Sequence, residues 1–258
     1  MLRLIDTHAH LDEIEDLPEA LRDAADAGVV AVIAVGTGYD SNDKVLEISQ
    51  KHKGLVYPAL GLHPWQLAHT GPAEAERTLH QIEDNIGVAV AVGEIGLDYD
   101  KRVKSLASKE RQKAVLTELV ELARKYGKPA IIHNRYAWQD ALTIAIDAGI
   151  KDAVFHWYTG PSSVLHDITA QGYFIPATPA AEYHTEHRRA VKEAPLSRLL
   201  LETDAPVAYG RENKYISRPR DVLRTLRAAA EIKGIDEAHL AEQTTQNALK
   251  FFSITVST

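Results

Sequence analysis

The chain alternates between short aliphatic runs and longer stretches in which apolar residues recur every three or four positions. The aliphatic runs are rich in Val, Ile and Leu and show little polar alternation, which is typical of strands buried on both faces of a parallel sheet. They predict eight strands, at residues 2–6, 29–35, 55–60, 88–93, 130–133, 152–156, 172–176 and 199–203.

The intervening stretches predict helices, and the clearest covers residues 108–126. Ser108 is placed to cap its start, and Gly127 followed by Pro129 to end it. The remaining helices are predicted at residues 18–27, 42–51, 74–85, 136–147, 161–171, 185–194, 219–233 and 236–252. Strands that alternate with helices favour an α/β protein folded as a (β/α)8 TIM barrel. A doubly wound open sheet is the alternative, although no glycine-rich nucleotide-binding motif follows any strand.

Length and composition narrow the class of protein. A chain of 258 residues fits one barrel, so we expect a single TIM-barrel domain over residues 1–258. The net charge of -7 opposes nonspecific binding to nucleic acid, although bound divalent cations would reverse the potential locally. There is no cysteine, hence no disulfide framework or cysteine metal site. No apolar run reaches the roughly 18 residues of a membrane span, and Arg3 and Asp6 interrupt the first one, so we expect a cytoplasmic protein.

Metal-ligand side chains stand at the predicted strand ends. In a barrel these ends meet on one face, where the active site is built. Imidazole and carboxylate groups bind Zn²⁺, Mn²⁺, Fe²⁺ or Mg²⁺, and a set this large suits two ions about 3.5–4 Å apart with a bridging carboxylate. Alternate residues of a regular strand share a face, so His8 and His10 can point into one pocket. The full set is His8, His10, Glu94, His133, His156 and Asp204.

Seven motifs then match a known family in order along nearly the whole chain. The chain resembles TatD-type metal-dependent deoxyribonucleases, a branch of the amidohydrolase superfamily. The combination of His-x-His, GEIGLDY and ETDAP is the specific part of the resemblance. The motifs are DTHAHLD (6–12), GLHPW (61–65), VGEIGLDY (92–99), PAIIHNR (129–135), FHWYTG (155–160), LLLETDAP (199–206) and TTQNALKFF (244–252).

The resemblance implies a division of the ligands between two divalent ions. His8, His10 and Asp204 would hold one ion, and His133 and His156 the other. Glu94 would bridge them. It further implies a 3′→5′ exodeoxyribonuclease that uses Mg²⁺ or Mn²⁺, with Zn²⁺ as an ion retained on purification. DNA, as single strands or 3′ ends, would be the substrate, and no membrane or obligate protein partner is expected.

The expected mechanism is attack on phosphorus by a hydroxide bridging the two ions, with Asp204 as the base and Glu94 as a catalytic bridging group. His63 and Arg135 are candidates to contact the substrate phosphate. So is a basic cluster on the loop after Asp204, formed by Arg211, Lys214 and Arg218.

Aromatic residues beside the motifs could stack on bases, namely Trp65, Tyr99, Trp157 and Tyr158. The chain departs from the family at the substrate rim. It has HWYTG where the family commonly has HCFSG, and Tyr136 where Asp commonly follows the Arg of HxR. An amidohydrolase acting on a small ester, lactone, amide or phosphoester is therefore the alternative function. A metal-retaining protein without activity is a second alternative, although all the proposed ligands are present.

Overall fold

The computed structural model describes residues 2–256. Its strands are β1 (Leu4–Ala9), β2 (Val29–Val35), β3 (Val56–Leu60), β4 (Ala91–Asp98), β5 (Ala130–Arg135), β6 (Ala153–Phe155), β7 (Ile175–Ala177), β8 (Leu199–Leu201), β9 (Ala208–Tyr209) and β10 (Tyr215–Ile216). Its α-helices are α1 (Leu17–Asp26), α2 (Tyr39–Lys51), α3 (Pro64–His69), α4 (Pro72–Asp84), α5 (Lys101–Lys104), α6 (Lys109–Lys125), α7 (Trp138–Asp147), α8 (Ser162–Ala170), α9 (Thr185–Glu193), α10 (Val222–Lys233) and α11 (Glu237–Phe252). Short 3₁₀ segments lie at Leu11–Glu13, Pro179–Glu182, Leu196–Arg198 and Pro219–Asp221.

The first eight strands form a closed parallel barrel. Strands β1 to β6 pair in chain order, and β7 pairs in parallel with β8. Two single bridges complete the ring, Val154 to Phe174 between β6 and β7, and Ala9 to Ala205 beyond the end of β8. The prediction of an α/β TIM barrel is therefore confirmed, and the open doubly wound sheet is excluded.

Two apolar cores flank the strands. One lies between the strands and the surrounding helices, and the other fills the barrel interior with residues such as Ile5, Ile33 and Ile131. Phe251 and Phe252 at the end of α11 pack into the interior core. Helix α11 thus closes the floor of the barrel, which accounts for the apolar end of the TTQNALKFF segment.

The caps predicted for α6 are present. The Ser108 hydroxyl accepts a hydrogen bond from the Arg111 amide at 3.3 Å, and Gly127 has the positive φ of 64° that suits a helix C-terminus. Most other predicted boundaries differ from the observed ones by a few residues, as expected where helix ends fray.

A bulge in β1 turns its histidines into the barrel mouth. Ile5 packs in the interior core whereas Ala9 packs in the outer core, although residues four apart on a regular strand share a face. The register shows why, because β1 advances from Asp6 to Ala9 while β2 advances only from Val32 to Ala34. The extra residue exchanges the two faces of the strand, so His8 and His10 point inward on either side of Ala9. The expectation that His8 and His10 share one pocket is met, but a strand without the bulge would turn both of them outward.

A second bulge positions Glu94 in β4. This strand was predicted at residues 88–93 but runs from Ala91 to Asp98, so Glu94 lies inside it. Val92 pairs with Ala130 and Ile95 with Ile132, which leaves one extra residue in β4. Glu94 consequently leaves the outer face that it would share with Val92 and points into the mouth.

Glycines give the Glu94 bulge its room. A Cβ atom at Gly61 would overlap the backbone of Glu94, and one at Gly96 would overlap the carbonyl of His133. Gly96 also has a φ of 154°, which side chains rarely adopt. The glycines of the GLHPW and GEIGLDY motifs are therefore required for close backbone packing around the site.

Helices α3 and α5 and the β9–β10 hairpin have no counterpart in the prediction. Helices α3 and α5 span only 6 and 4 residues, too few for a periodic apolar signal. The loop after Asp204 contains an antiparallel hairpin in which Tyr209 pairs with Tyr215. Across residues 2–256, the helices are either too short or too polar to cross a bilayer.

Candidate metal centre

Four ligand-type atoms converge at the mouth of the barrel, supplied by β1, β4 and the loop after β8. Nε2 of His8 lies 3.3 Å from Nε2 of His10, 3.3 Å from Oε2 of Glu94 and 3.5 Å from Oδ1 of Asp204. Nε2 of His10 lies 3.6 Å from the same Glu94 oxygen and 3.4 Å from the same Asp204 oxygen. All four side chains are buried or nearly so.

These separations fit a single cation. Four ligands at about 2.0–2.2 Å from a tetrahedral Zn²⁺-like ion are separated from one another by about 3.3–3.6 Å. The five measured separations span 3.3–3.6 Å. The residues present therefore fit a divalent metal ion.

The second oxygen of Glu94 faces a different group of histidines. Oε1 lies 2.9 Å from Nδ1 of His133, 3.6 Å from Nε2 of His63 and 3.9 Å from Nε2 of His156. Asp204 is divided in the same way, because its Oδ2 lies 3.6 Å from Nε2 of His156. Both carboxylates thus span two adjacent groups of imidazoles, which is the arrangement that a two-ion site needs.

Acceptors on the far side of the rings orient three of the histidines. Nδ1 of His10 lies 3.1 Å from the Val35 carbonyl, and Nε2 of His133 lies 3.4 Å from Oδ2 of Asp98. Nδ1 of His156 lies 2.8 Å from Oε1 of Glu202. Metal-binding histidines commonly place their second nitrogen on such an acceptor, which fixes the tautomer and the ring orientation.

Sequence reasoning did not include Asp98 or Glu202 among the site residues. Both are buried carboxylates, and both stand inside motifs that were recognised, GEIGLDY and ETDAP. The signal that could have identified them is that each is a carboxylate inside a motif that also carries a proposed metal ligand.

His63 is arranged as a hydrogen-bond donor. Its Nδ1 accepts a hydrogen bond from the Trp65 amide at 3.1 Å, where His63 caps the start of α3. Burial lowers the pKa of His63 to about 3, so the ring is neutral at pH 7. A neutral ring whose Nδ1 accepts must carry its proton on Nε2, the atom that faces Glu94. That atom can donate to a negatively charged oxygen but offers no lone pair to a metal.

The carboxylates of the centre are held in the ionised form. Burial opposes ionisation of Glu94, but the imidazoles of His63, His156 and His8 keep its pKa well below the usual range. Asp204 behaves similarly, since the effect of burial is outweighed by His156 and by a hydrogen bond from His10, and its pKa is lowered. Two buried anions at the mouth make it a site for cations.

A cleft of about 630 Å³ opens over this centre. Of the predicted substrate residues, His63 and Arg135 line it, and Arg135 also pairs with Asp100 at 3.3 Å. His184 also lines this cleft. Three non-glycine residues with positive φ follow the ligand-bearing strands, as expected for strained positions near a functional site: Tyr136, Trp157 and Asp204.

The structure does not bring the basic cluster to the cleft wall. Arg211 donates to the Tyr183 carbonyl at 2.8 Å, and Lys214 is exposed on the β9–β10 turn. Arg218 lies 3.5 Å from Glu19 of α1, on the outside of the barrel. Their contact with substrate stays a prediction.

The candidate stacking aromatics are also divided. Trp65 and Trp157 line the cleft. Tyr99 is buried, with its hydroxyl donating to Asp140 at 2.6 Å, and Tyr158 is fully buried, with its hydroxyl donating to the Pro161 carbonyl at 2.8 Å. These two tyrosines pack within the protein rather than against the cleft.

Comparison with known proteins agrees with this architecture. The profile of the TatD related DNase family matches residues 5–253. The chain is 32% identical to the human protein named Deoxyribonuclease TATDN3, over 96% of this chain and 94% of that one. It is 29% identical to the uncharacterized metal-dependent hydrolase YabD of Bacillus subtilis, over 97% and 99% of the two chains.

The solved structures include a close match in fold. The crystal structure of YJJV, a TatD homolog from Escherichia coli, superposes with a TM-score of 0.88 at 28% identity, covering 98% of this chain and 99% of that one. A TatD family hydrolase from Entamoeba histolytica superposes with a TM-score of 0.84 at 23% identity, a likeness of fold alone. Because the family profile spans nearly the whole barrel and the human relative aligns over almost all of it, the chain belongs to the TatD related DNase family and is a hydrolase that acts on ester bonds.

Proposed function

We propose that this protein is a metal-dependent phosphodiesterase that removes nucleotides from the 3′ end of DNA with the help of two divalent ions. The observation that carries the proposal is the division of Glu94, whose two oxygens face two separate groups of histidines. A carboxylate in that position can hold two ions on either side of one phosphate.

The contacts support one assignment of the ligands. His8, His10 and Asp204 would hold one ion, His133 and His156 the other, and Glu94 would contact both. Bound ions of the Mg²⁺, Mn²⁺ or Zn²⁺ type would supply positive charge for the phosphoryl oxygens and acidity that makes water a nucleophile near neutral pH.

The chain's own side chains complete the chemistry. Asp204 is ionised and spans both histidine groups, so it is placed to accept the proton of the attacking water. His63 presents Nε2–H to the same space and would donate to a phosphoryl oxygen as negative charge develops there. Arg135, at the cleft wall, would bind the adjoining phosphate with its paired donors.

The relatives favour DNA as the substrate, because the human relative is named as a deoxyribonuclease and the family profile as a DNase. The overall charge of -7 does not oppose this proposal, because metal ions would supply the attraction locally. One observation favours the alternative, a small-molecule ester, lactone, amide or phosphoester. The basic cluster expected at the mouth is turned away from the cleft, which leaves Arg135 as the arginine on the cleft wall among the described residues.

The decisive experiment compares possible substrates and asks from which end DNA is shortened. Single-stranded DNA labelled at either end is incubated with Mg²⁺ or Mn²⁺, beside RNA of the same sequence, bis-p-nitrophenyl phosphate and a panel of lactones. Stepwise shortening from the 3′ end that stops with chelator and in the Glu94→Ala variant supports the proposal. Inert DNA together with turnover of a lactone or another small ester would replace it with the alternative.

A further inference from the structure

Asn42 on α2 is a buried side chain that takes the place of a strand partner for Gly61. Its Nδ2 donates to the Gly61 carbonyl at 3.0 Å, and its Oδ1 accepts from the Gly61 amide at 3.1 Å. The register of β2 with β3 ends at the pair of Val35 and Ala59, and the chain then turns into α2. Because a buried backbone group needs a partner, the side-chain amide of Asn42 supplies the one that β2 no longer offers.

A hydrogen-bonded chain that begins at the protein surface fixes the orientation of this side-chain amide. Nε2 of Gln81, on α4, donates to Oδ1 of Asp43 at 2.7 Å and to the Tyr39 carbonyl at 3.0 Å. Gln81 therefore presents its own oxygen, Oε1, to Asn42, and this oxygen accepts from Nδ2 of Asn42 at 3.1 Å. Asp43 is exposed, whereas Asn42 and Gln81 are buried. The surface of α2 and α4 is thus connected to the segment that follows β3.

Two glycines connect the side-chain amide of Asn42 to the backbone of Glu94. A Cβ atom at Gly36 would overlap Oδ1 of Asn42, and one at Gly61 would overlap the backbone of Glu94. The Glu94 amide donates to the Gly36 carbonyl at 3.0 Å. Gly36 and Gly61, which both contact the Glu94 bulge, therefore both lie against Asn42.

Glu94 has little freedom to move if it is to keep its contacts. Its Oε2 lies 3.3 Å from Nε2 of His8, and its Oε1 lies 2.9 Å from Nδ1 of His133 on the other side. Metal ligands need to be held within about 0.5 Å of the productive position by the groups that surround them. A shift of the Glu94 backbone would lengthen one of these two contacts, so the residues behind the bulge set the geometry of the centre.

We propose that Asn42 is a positioning residue for the metal centre, which holds Glu94 in place through Gly36 and Gly61 and thereby sets the affinity for divalent ions. Asn42 forms its hydrogen bonds with Gly61 and Gln81, so its effect reaches the ions through Glu94. This inference rests on the proposed function, because it takes Glu94 as the ligand shared by the two ions.

The experiment compares two buried asparagines that hold backbone groups in different parts of the barrel. Asn42→Leu keeps the size of the side chain and leaves the Gly61 amide and carbonyl without their partner. The matched control is Asn247→Leu on α11, at the floor of the barrel, because Nδ2 of Asn247 donates to the carbonyls of Leu196 and Leu199 at 2.9 Å each. Denaturant unfolding should show a loss of stability in both variants, since each leaves buried carbonyls unpaired.

The affinity for Mn²⁺, measured by calorimetry on folded protein, separates the two variants. Asn42→Leu should lower it by about 10-fold, the lower end of the range for residues that support metal ligands, and Asn247→Leu should leave it unchanged. Unchanged affinity in Asn42→Leu, or an equal fall in both variants, would show a purely structural role and overturn the inference. If Asn42→Leu does not fold, Gln81→Met provides the same test, because it leaves Asn42 in place and removes the group that orients it. A smaller fall in Mn²⁺ affinity then supports the inference, and no fall overturns it.

A double-mutant cycle tests whether Asn42 acts through Glu94. In the Glu94→Ala background, Asn42→Leu should cause no further loss of Mn²⁺ affinity, because the group that it positions is absent. The same loss in both backgrounds would place the effect of Asn42 elsewhere and overturn the inference. If the unaltered protein binds Mn²⁺ but cleaves no DNA, the proposed function fails, while the comparison of Mn²⁺ affinities still decides the role of Asn42.

Discussion

Oε1 of Glu202 lies 2.8 Å from Nδ1 of His156, and both side chains are buried. Burial opposes protonation of His156, but the charges of Glu202 and Asp204 raise its pKa well above the usual range. The pair therefore fixes which nitrogen of His156 faces Glu94 and Asp204. We therefore expect Glu202 to be a positioning residue for the proposed metal centre, acting through the proposed ligand His156.

Replacing Glu202 should lower the affinity for metal more than it lowers activity at saturating metal. In Glu202→Gln the ring of His156 loses its anionic partner, and loss of such a partner typically costs about 10- to 100-fold in metal affinity. Titration with Mn²⁺ followed by calorimetry measures the affinity, and activity at saturating Mn²⁺ should largely return. The control is Glu193→Gln, because the carboxylate of Glu193 pairs with Arg189 away from the metal centre. Unaltered Mn²⁺ affinity in Glu202→Gln would contradict the positioning role.

Asp204→Asn should abolish most turnover while the barrel still folds. An amide can still contact a cation through its oxygen but is a far poorer proton acceptor, and general-base catalysis typically contributes about 10²- to 10⁴-fold. The measurement is kcat on single-stranded DNA at saturating Mn²⁺, with metal content determined on the same sample. Full activity with metal bound would remove Asp204 from the role of base.

His63→Asn separates a hydrogen-bond donor from a metal ligand. Asparagine can still accept from the Trp65 amide at the start of α3, so the helix cap is retained while Nε2–H is lost. A hydrogen bond to a charged oxygen contributes about 1.5–3 kcal/mol, so kcat/KM should fall by about 10- to 150-fold. Metal stoichiometry should be unchanged, and loss of an ion in this variant would instead identify His63 as a ligand.

His187 should make stability depend on pH. It is fully buried, its Nε2 accepts from the Thr178 amide at 2.9 Å, and burial lowers its pKa to about 4. Because the unfolded chain binds a proton near pH 6.5 and the folded chain does not, stability is greatest above pH 6.5. It is lost as pH falls toward 4, by about 3 kcal/mol for this residue alone. Denaturant unfolding of the protein and of His187→Gln at pH 7.5 and 4.5 isolates the effect, since the variant should lack this share of the pH dependence.

Metal ions should stabilise the fold as well as support catalysis. An ion that binds only the folded barrel at about 100 times its Kd adds about 2.7 kcal/mol to the free energy of unfolding. Thermal unfolding with Mn²⁺ and with chelator measures the difference. The gain should disappear in Glu94→Ala, which removes the group shared by both halves of the centre. Equal Mn²⁺ stabilisation of this variant would place the ion elsewhere.

The strand order and the set of residues at the mouth could be predicted because apolar runs, helix periodicity and strand-end chemistry are local properties of the sequence. Orientation could not be predicted in the same way. The side chains of His8 and Glu94 point inward because of bulges. A bulge is defined by the pairing register of two strands, which the sequence of one strand does not show. Short helices such as α3 likewise carry too few residues for a periodic signal.

In the loop after Asp204, a local sequence pattern suggested a role that the structure does not support. Clustered positive charge suggested a phosphate-binding surface, but Arg218 has acidic neighbours on α1 that only the folded barrel reveals. The aromatic residues of the cleft were predicted in part, because Trp65 and Trp157 were named whereas Trp138, which lines the cleft from the start of α7, was not. The roles of residues whose partners are distant in the sequence can be assigned only from the three-dimensional structure.

The barrel is joined between its first and eighth strands by few backbone contacts. The Asp204 amide donates to the His8 carbonyl at 2.8 Å, and the Asp6 carboxylate accepts from the Thr203 amide at 2.9 Å and from its hydroxyl at 2.6 Å. The proposed ligands His8, His10 and Asp204 stand on the two sides of this junction, so the pocket proposed for the first ion would exist only after the ring has closed. An ion bound there would therefore add a contact across the junction between the two ends of the sheet.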